Sequence, residues 1–488
     1  MASFLALSNF IVVLDMTVAN VSIPHIAGSI GVSRDQGAWI ITSYAVAEAL
    51  TVPLTGWLAQ RFGAVRMYMA CMTGFGLFSF LCAMSLTLPM IVVSRLGQGL
   101  CGGLIMALSQ TLLYRIFSLE DRGKAMVLSS MTVLMGPALG PNLGGFISDN
   151  FSWHWIFLIN LPIVAVCVTM AFLFLRKAET PMVKLPIDTI GLALMFVWIG
   201  SLQLMLDLGR DRDWFGDPLI VALAIIAVVG LLVFLVWELT EEHPVVNLRI
   251  FRHTGFTFGV IAFSLCFGAY FASIVVIPLW LQGTMGYPAQ KAGFVVAGTA
   301  IGALITSQFA ARSVAKGVDL RILVSVAVAW IGCMALVRAN WTSGTEFWQI
   351  AAPQYIQGLG MAFFMMPLSL LTINSVPPEE LAFATGMQNF IRTLTIGLFT
   401  AVTLTIWGNT EQEARSEIVS KLQPDEVMRN MTEAGFSTQQ AAGAIGHIVD
   451  REAVTIAVDY VFLLTAAIFF LCALVIWLAP RPKIPGTG

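Results

Sequence analysis

The sequence predicts an all-α integral membrane protein with 14 transmembrane helices, arranged as two six-helix bundles with an inserted helix pair between them. Three observations carry this prediction. Of the 488 residues, 58% are hydrophobic and only 11% are charged, roughly half the charged share of a soluble globular domain and more apolar surface than one soluble core buries. The apolar residues are gathered into segments of about 20 residues, the length that crosses a hydrocarbon core. A short internal match also relates the two ends of the chain: SRLGQGLCGGLIM at 94–106 aligns without gaps with PQYIQGLGMAFFM at 353–365.

Taken in order, the apolar segments lie near 3–24, 38–59, 67–87, 90–114, 125–148, 154–175, 187–207 and 218–238. Six more follow near 256–282, 291–312, 320–338, 347–373, 380–408 and 453–479. The internal match falls in the fourth and twelfth. With the seventh and eighth set aside as an insertion, each is the fourth helix of a six-helix half, the plan of a parallel-repeat transporter. The chain therefore divides into an N-terminal bundle at 1–180, an inserted pair at 181–245 and a C-terminal bundle at 246–488.

An even number of spans puts both ends on one side. The connections on that side hold fifteen Lys and Arg, from Arg61 and Arg66 through Lys184 to Arg481 and Lys483, against five on the short connections opposite (Arg34, Arg210, Arg212, Lys291 and Arg338). Cytoplasmic loops carry the excess of basic residues, so both termini are expected in the cytoplasm. The long polar connection at 409–452 is then external. Ser437 and Gln440 read there as a capping box, and Val427, Met431 and Ala434 share one helix face, so short helices on the outer face are expected.

Composition excludes several functions. A net charge of −2 leaves no nucleic-acid-binding surface as the organising feature. The seven cysteines all fall in apolar runs, without the CxxC or Cys/His spacing of a metal site or the pattern of a disulfide framework. No cofactor or metal is expected. Met1 to Phe10 lacks a basic start and no small-residue cleavage site follows, so the first segment reads as a span and not as a signal peptide. The chain has no GxxxxGK[ST] phosphate loop, which disfavours ATP-driven pumping. The five histidines sit at span ends or in loops, which supplies neither a proton relay nor the paired catalytic groups of a membrane-embedded enzyme.

Ionisable residues at membrane depth are costly, which makes them functional candidates. Asp15 and Glu48 lie near the middle of the first and second spans, Arg95 opens the fourth and Arg392 lies within the thirteenth. A carboxyl in a low-dielectric site holds a proton more readily, and a nearby guanidinium helps release it. Asp15 or Glu48, working with Arg95, is thus a candidate for loading and unloading one proton per cycle; the alternative is a fixed ion pair that locks helices together. Polar stripes form at helical spacing as well. Gln388 with Arg392, and Thr385 with Asn389, share one broad stripe of the thirteenth span, and Gln354 with Gln357 form another on the twelfth. Such stripes line a substrate cavity or join neighbouring helices.

The fifth span carries GPALGPNLGG at 136–145. Gly136, Gly140 and Gly144 recur every four residues, a smooth stripe against which another helix packs closely, and Pro137 and Pro141 remove backbone donors along it. The corresponding stretch of the other half, LTIGLFTAVTL at 394–404, has one glycine and no proline. This asymmetry predicts a hinge or seal between the halves.

Several phrases together form a resemblance. LDMTVANVSIP in the first span, GWLAQRFGAVR between the second and third, RLGQG in the fourth, GPALGPNLGG in the fifth and SWHWIFLINLP entering the sixth resemble the motif series of the fourteen-span drug:proton antiporters of the major facilitator superfamily. ITSYAVAEALTVPLTGWLA at 41–59 and SMTVLMGP at 130–137 resemble the EmrB subfamily most. The resemblance implies a major facilitator fold, export of hydrophobic or amphipathic compounds across the inner membrane of a bacterium, and proton antiport through Asp15 and Arg95. Gln98 matches the same fourth-span motif and is also a substrate-cavity candidate with Gln354, Gln357, Gln388, Asn389 and Arg392. Gly136, Pro137, Gly140, Pro141, Gly144 and Gly145 match the motif regarded as the mark of antiporters, which weighs against a proton-coupled uptake carrier of the same fold. Gly56, Arg61, Gly63 and Arg66 match a cytoplasmic latch, with one departure: the motif has an acidic residue where this chain has Gln60. A carboxylate at Glu48 is not a family-wide feature; it is a candidate second proton site or a recognition site for cations. EmrB-like proteins work with a periplasmic adaptor protein of the EmrA type and an outer-membrane channel, for which 409–452 offers a docking surface; the alternative is a cap over the transporter's own outer opening.

Overall fold

A computed structural model describes residues 2–478 apart from 118, 184, 185, 210, 211, 422–428, 430, 431 and 434–436. Lys184, Arg210, Arg481 and Lys483, and the face expected from Val427, Met431 and Ala434, lie outside the described residues. Among the described residues every regular element is helical, with no strand, as a lipid environment requires of backbone groups that have no water to bond.

Each of the fourteen apolar segments is helical. The first span is Ala2–Ile30, the third Ala64–Ala83, the fourth Leu88–Ile116 and the fifth Leu119–Asn150. The inserted pair is Thr189–Leu208 and Pro218–Thr240. Thr254–Gly283, Ala289–Ala315, Leu320–Arg338 and Phe347–Ile373 are the ninth to twelfth. Among the described residues, twelve of the fourteen are long and apolar enough to cross a membrane. The second and fifth are not among the twelve. The second runs from Arg34–Thr51 through a tight turn at Val52–Leu54, where Pro53 has no N–H to donate, into Thr55–Phe62. The fifth opens on the charged run LEDRGK.

The described parts of the external connection extend the spans themselves: the thirteenth continues unbroken as Leu381–Lys421, and Thr438–Val475 runs from the Ser437–Gln440 capping box straight into the fourteenth. The two extensions are joined by an Arg415–Asp450 ion pair at 3.1 Å. Arg338 belongs to no connection; it closes the eleventh helix and its side chain is fully buried.

Two apolar cores hold the bundle. One draws only on residues from Phe4 to Leu175; the other joins the ninth to fourteenth spans to the inserted pair, with Ala49 to Leu54 and Tyr114 reaching in from the first half. The inserted pair packs on itself through Trp198 and Phe234, with ring centroids 5.8 Å apart, and on the thirteenth span through Trp198 and Phe390. Its outer face exposes Ile225, Val228, Val229 and Val236, a surface suited to lipid. The internal sequence match has a structural counterpart. A Cβ on Gly99 would lie 2.4 Å from the Tyr44 carbonyl oxygen, and one on Gly358, its aligned residue, 2.4 Å from the Thr299 carbonyl oxygen. The fourth span therefore meets the second as the twelfth meets the tenth, each at a backbone-to-backbone approach that only glycine permits.

Candidate functional site

Asp15 and Arg95 form a buried ion pair, Arg95 Nη1 donating to Asp15 Oδ2 at 2.5 Å. Both side chains are sealed from solvent, so each charge depends on its partners for stabilisation. Those partners are plentiful. Arg95 Nη1 also donates to Gln98 Oε1 at 2.8 Å, Gln98 Nε2 donates to Asp15 Oδ1 at 2.9 Å and Asn160 Nδ2 donates to the same oxygen at 2.6 Å. Arg95 Nε is held by the Ile40 carbonyl at 3.2 Å, and its guanidinium lies over the Tyr44 ring, 4.4 Å from the centroid. The first, fourth and sixth spans thus meet at one carboxylate, and the second holds its guanidinium partner.

The sequence brought out Asp15, Arg95 and Gln98, and the structure joins all three. Gln98 is fully buried in this cluster, so it belongs with the ion pair and not with an open cavity. Asn160 was missed. Its signal was present, an amide side chain inside the apolar phrase SWHWIFLINLP, but its 145-residue separation from Asp15 gives no local pattern. Ser79, which accepts from Asn160 Nδ2 at 2.8 Å and donates to the Phe157 carbonyl at 2.9 Å, extends the network.

Glu48 is buried apart from that cluster, and its leading electrostatic partner is Arg392 of the other half, followed by Arg95. The polar stripe of the thirteenth span faces the fourth across the boundary between the halves. Thr111 and Thr385 hydroxyls are 2.5 Å apart, Asn389 Nδ2 donates to Gln110 Oε1 at 2.8 Å, and Arg392 Nη2 reaches Met106 Sδ at 3.6 Å. Tyr114 and Ser369 add a fourth bond at 3.0 Å. Most of this stripe is therefore a seam between halves. Gln388 differs: it is buried, and neither amide atom has a partner among the described residues. Gln354 accepts from Thr299 at 3.4 Å, while its Nε2 and the Oε1 of Gln357 are unpartnered.

The glycine stripe does not face the other half. Gly136, Gly140 and Gly144 lie against Val13, Thr17 and Val18 of the first span, and Thr17 Oγ1 donates to the Gly136 carbonyl at 3.2 Å. The stripe is thus a close-packed seat for the helix that carries Asp15, on a span that also packs against the tenth span of the other half. Gly145 faces open space. The backbone of Pro137 and Pro141 lies within one continuous helix.

At the basic end, Gly56 abuts Phe383 of the thirteenth span, where a Cβ would lie 2.4 Å from Cδ1, and Gly386 faces Thr55. Gly63 sits at φ +91, a conformation glycine supplies at low cost. The acid absent at Gln60 is supplied from elsewhere: Glu179, after the sixth span, accepts from the backbone N–H groups of Val65 and Arg66 at 3.0 and 3.1 Å, with Arg66 Nε 3.8 Å away. Arg61 lies over the Trp57 and Phe62 rings. Sequence reasoning missed Glu179, which lies outside the motif.

Comparison with known proteins matches residues 5–400 to the Major Facilitator Superfamily. The multidrug export protein EmrB of Escherichia coli (strain K12) is 39% identical over 490 residues, covering 99% of this chain and 96% of that protein. The fatty acid resistance protein FarB of Neisseria gonorrhoeae is 37% identical, again over 99% and 96%. Among solved structures, the proton:xylose symporter XylE superposes with a TM-score of 0.62 at 13% identity, covering 99% of this chain and 96% of that one. The human organic anion transporter MFSD10 gives 0.60 at 14%, covering 97% and 98%. Fold, sequence and family agree: the chain belongs to the major facilitator superfamily and is a multi-pass membrane transporter, not an enzyme.

Proposed function

We propose that this transporter exports hydrophobic and amphipathic compounds in exchange for protons by alternating access, in the inner membrane of a bacterium with both termini in the cytoplasm. One observation carries the reading: a carboxylate, Asp15, sealed in the N-terminal bundle with a guanidinium and two amide donors on it. Protonation of Asp15 would cancel its attraction to Arg95 and release the spans it holds, which is how a proton can shift the equilibrium between two arrangements. Glu48, whose leading electrostatic partner is Arg392 of the other half, is a second candidate charge where the halves meet. The names carried by the relatives, multidrug export and fatty acid resistance, supply the direction and the class of cargo.

The bundles at 1–180 and 246–488 are the moving halves, and the pair at 181–245 is a lipid-facing brace. The seam at Thr111–Thr385 and the Gly56–Phe383 contact lie at the basic end, so this state is closed toward the cytoplasm, held by the latch at Gly56, Arg61, Gly63 and Arg66. The fifth-span glycines seat the coupling helix. Gln388, with both amide atoms unpartnered, is the leading contact for cargo. A periplasmic adaptor and an outer-membrane channel complete the path, docking on the helical extensions at 409–452.

The test uses everted membrane vesicles. After energisation, lipophilic weak acids, uncouplers and cationic dyes are added singly, and proton release is compared between the parent, Asp15→Asn and vesicles without the protein. Antiport predicts release with the parent alone. Equal release from parent and Asp15→Asn would remove Asp15 from coupling, and uptake of a solute together with protons would assign the fold to an importer.

A further inference from the structure

Arg338 lies outside the coupling cluster, the latch and the seam. It ends the eleventh span with 0% of its surface exposed, and its Nε donates to the Met334 carbonyl at 3.2 Å. Nη1 and Nη2 have no hydrogen-bond partner among the described residues. The guanidinium lies 4.8 Å from the Phe462 ring centroid, beside Trp341, which meets Phe462 edge-on and stacks on Trp280 at 5.4 Å. Among the described residues, the ionisable group that acts on it is Tyr270. Asp459, three residues before Phe462, forms no ion pair with Arg338 among the described residues, although its own Oδ1 is unpartnered there; the Trp341 N–H donates to the Arg338 carbonyl at 3.2 Å.

The two bundles differ at this point. The gapless match aligns Gln354 with Arg95 and Gln357 with Gln98, and the C-terminal bundle supplies its guanidinium from the eleventh span. In the N-terminal bundle Asp15 neutralises the cation; in the C-terminal bundle no described carboxylate pairs with it. A buried guanidinium without an anion is costly, and its planar fork matches the two oxygens of a carboxylate. On the same two helices, Ala269 and Val461, which immediately precede Tyr270 and Phe462, line an apolar cleft of about 220 Å³ with Leu398, Phe399, Val402 and Thr465.

We propose that Arg338 is the anion-recognising residue of a substrate site in the C-terminal bundle that takes amphipathic carboxylic acids, with Nη1 and Nη2 receiving the two carboxylate oxygens and the cleft receiving the alkyl chain. The proposal rests on the export reading and names one class of its cargo. Binding requires the Tyr270 and Phe462 side chains to admit the head group to the guanidinium.

Equilibrium binding of radiolabelled oleate and methyl oleate to the full chain in lipid nanodiscs tests it. The parent should prefer oleate over the ester by on the order of tenfold, the strength of one or two charge-assisted hydrogen bonds. Arg338→Gln should abolish that preference. Arg338→Lys keeps the charge but loses the fork, should reduce the preference by about threefold, and carries the test if the glutamine variant is not monodisperse. Asp459→Asn should leave oleate binding unchanged. The proposal is overturned by a parent without preference, by an Arg338→Gln or Arg338→Lys variant that retains the preference in full, or by a large gain in Asp459→Asn, which would identify Asp459 as the standing partner of Arg338. No proton gradient enters this assay, so failure of antiport in vesicles and failure of this site are separate results.

Discussion

Asn160 and Asp15, 145 positions apart, share a 2.6 Å hydrogen bond in which the amide donates to the carboxylate. Asp15 thus accepts from three side chains of two other spans, and the sixth span is tied to the coupling cluster through one bond. A hydrogen bond to a charged group contributes about 1.5–3 kcal/mol. Asn160→Ala should therefore lower gradient-driven export by on the order of tenfold or more while the protein still inserts, and Asp15→Asn should abolish it. Initial rates of proton release in everted vesicles check both. Parental rates in Asn160→Ala would show that Arg95 and Gln98 suffice to set the behaviour of Asp15.

The glycine stripe gives a prediction in which neighbouring positions behave oppositely. A Cβ at Gly140 would lie 2.0 Å from Thr17 Oγ1 and 2.6 Å from Thr17 Cβ, whereas one at Gly145 meets nothing within 4 Å. Overpacking of this kind costs typically about 1–3 kcal/mol, and alanine in place of an unconstrained helical glycine gains up to about 1. Gly140→Ala should lower the thermal midpoint of the purified protein and weaken coupling, because Thr17 lies two residues from Asp15 on the displaced helix. Gly145→Ala should do neither. Thr17→Ala, combined with Gly140→Ala, should recover part of the loss.

Glu179 replaces, from a distant segment, the acid that Gln60 lacks. Its carboxylate accepts from two backbone N–H groups at the start of Ala64–Ala83, a capping role worth about 0.5–2 kcal/mol. Its pairing with Arg66 is long at 3.8 Å, and the Arg66 side chain is 64% exposed, where ion pairs contribute about 0–1 kcal/mol. Glu179→Gln should consequently destabilise the protein more than Arg66→Gln in a thermal-shift measurement. The reverse order would mean that the charge pair, and not the cap, holds this turn.

These cases mark where the sequence was legible. Apolar runs of membrane length announced all fourteen helices, because lipid imposes both length and helicity on them. The buried charges were legible for the same reason, since Asp15 and Arg95 stand out against uniformly apolar surroundings. Gln98 stood out with the RLGQG phrase, although its assignment to a cavity overlooked that it lies three residues from Arg95 on the same helix. What stayed hidden depends on which helix faces which. The Gly136–Gly144 stripe read as a close-packing surface, but its partner, the first span, followed only from tertiary packing. Glu179 and Asn160 are ordinary in sequence and gain their roles from contacts more than 100 residues away. The Leu381–Lys421 helix also outran its apolar segment, because its polar continuation is as able to form a helix as the span itself.

The seam between the halves gives the most direct test of alternating access. Thr111 and Thr385 hydroxyls are 2.5 Å apart across 274 residues, between spans that must separate if the basic end opens. Paired cysteines there, Thr111→Cys with Thr385→Cys in a background lacking Cys101 and Cys333, should form a disulfide under mild oxidation, visible as a mobility shift on a non-reducing gel. Cross-linking should stop proton-coupled export almost completely, and reduction should restore it, since one covalent bond removes the inward-open arrangement that cargo must enter. Cysteine-modified protein that transports at the uncross-linked rate while fully oxidised would mean that the fourth and thirteenth spans stay together throughout the cycle. The moving boundary would then lie elsewhere, with the Tyr114–Ser369 contact between the fourth and twelfth spans as the next place to lock.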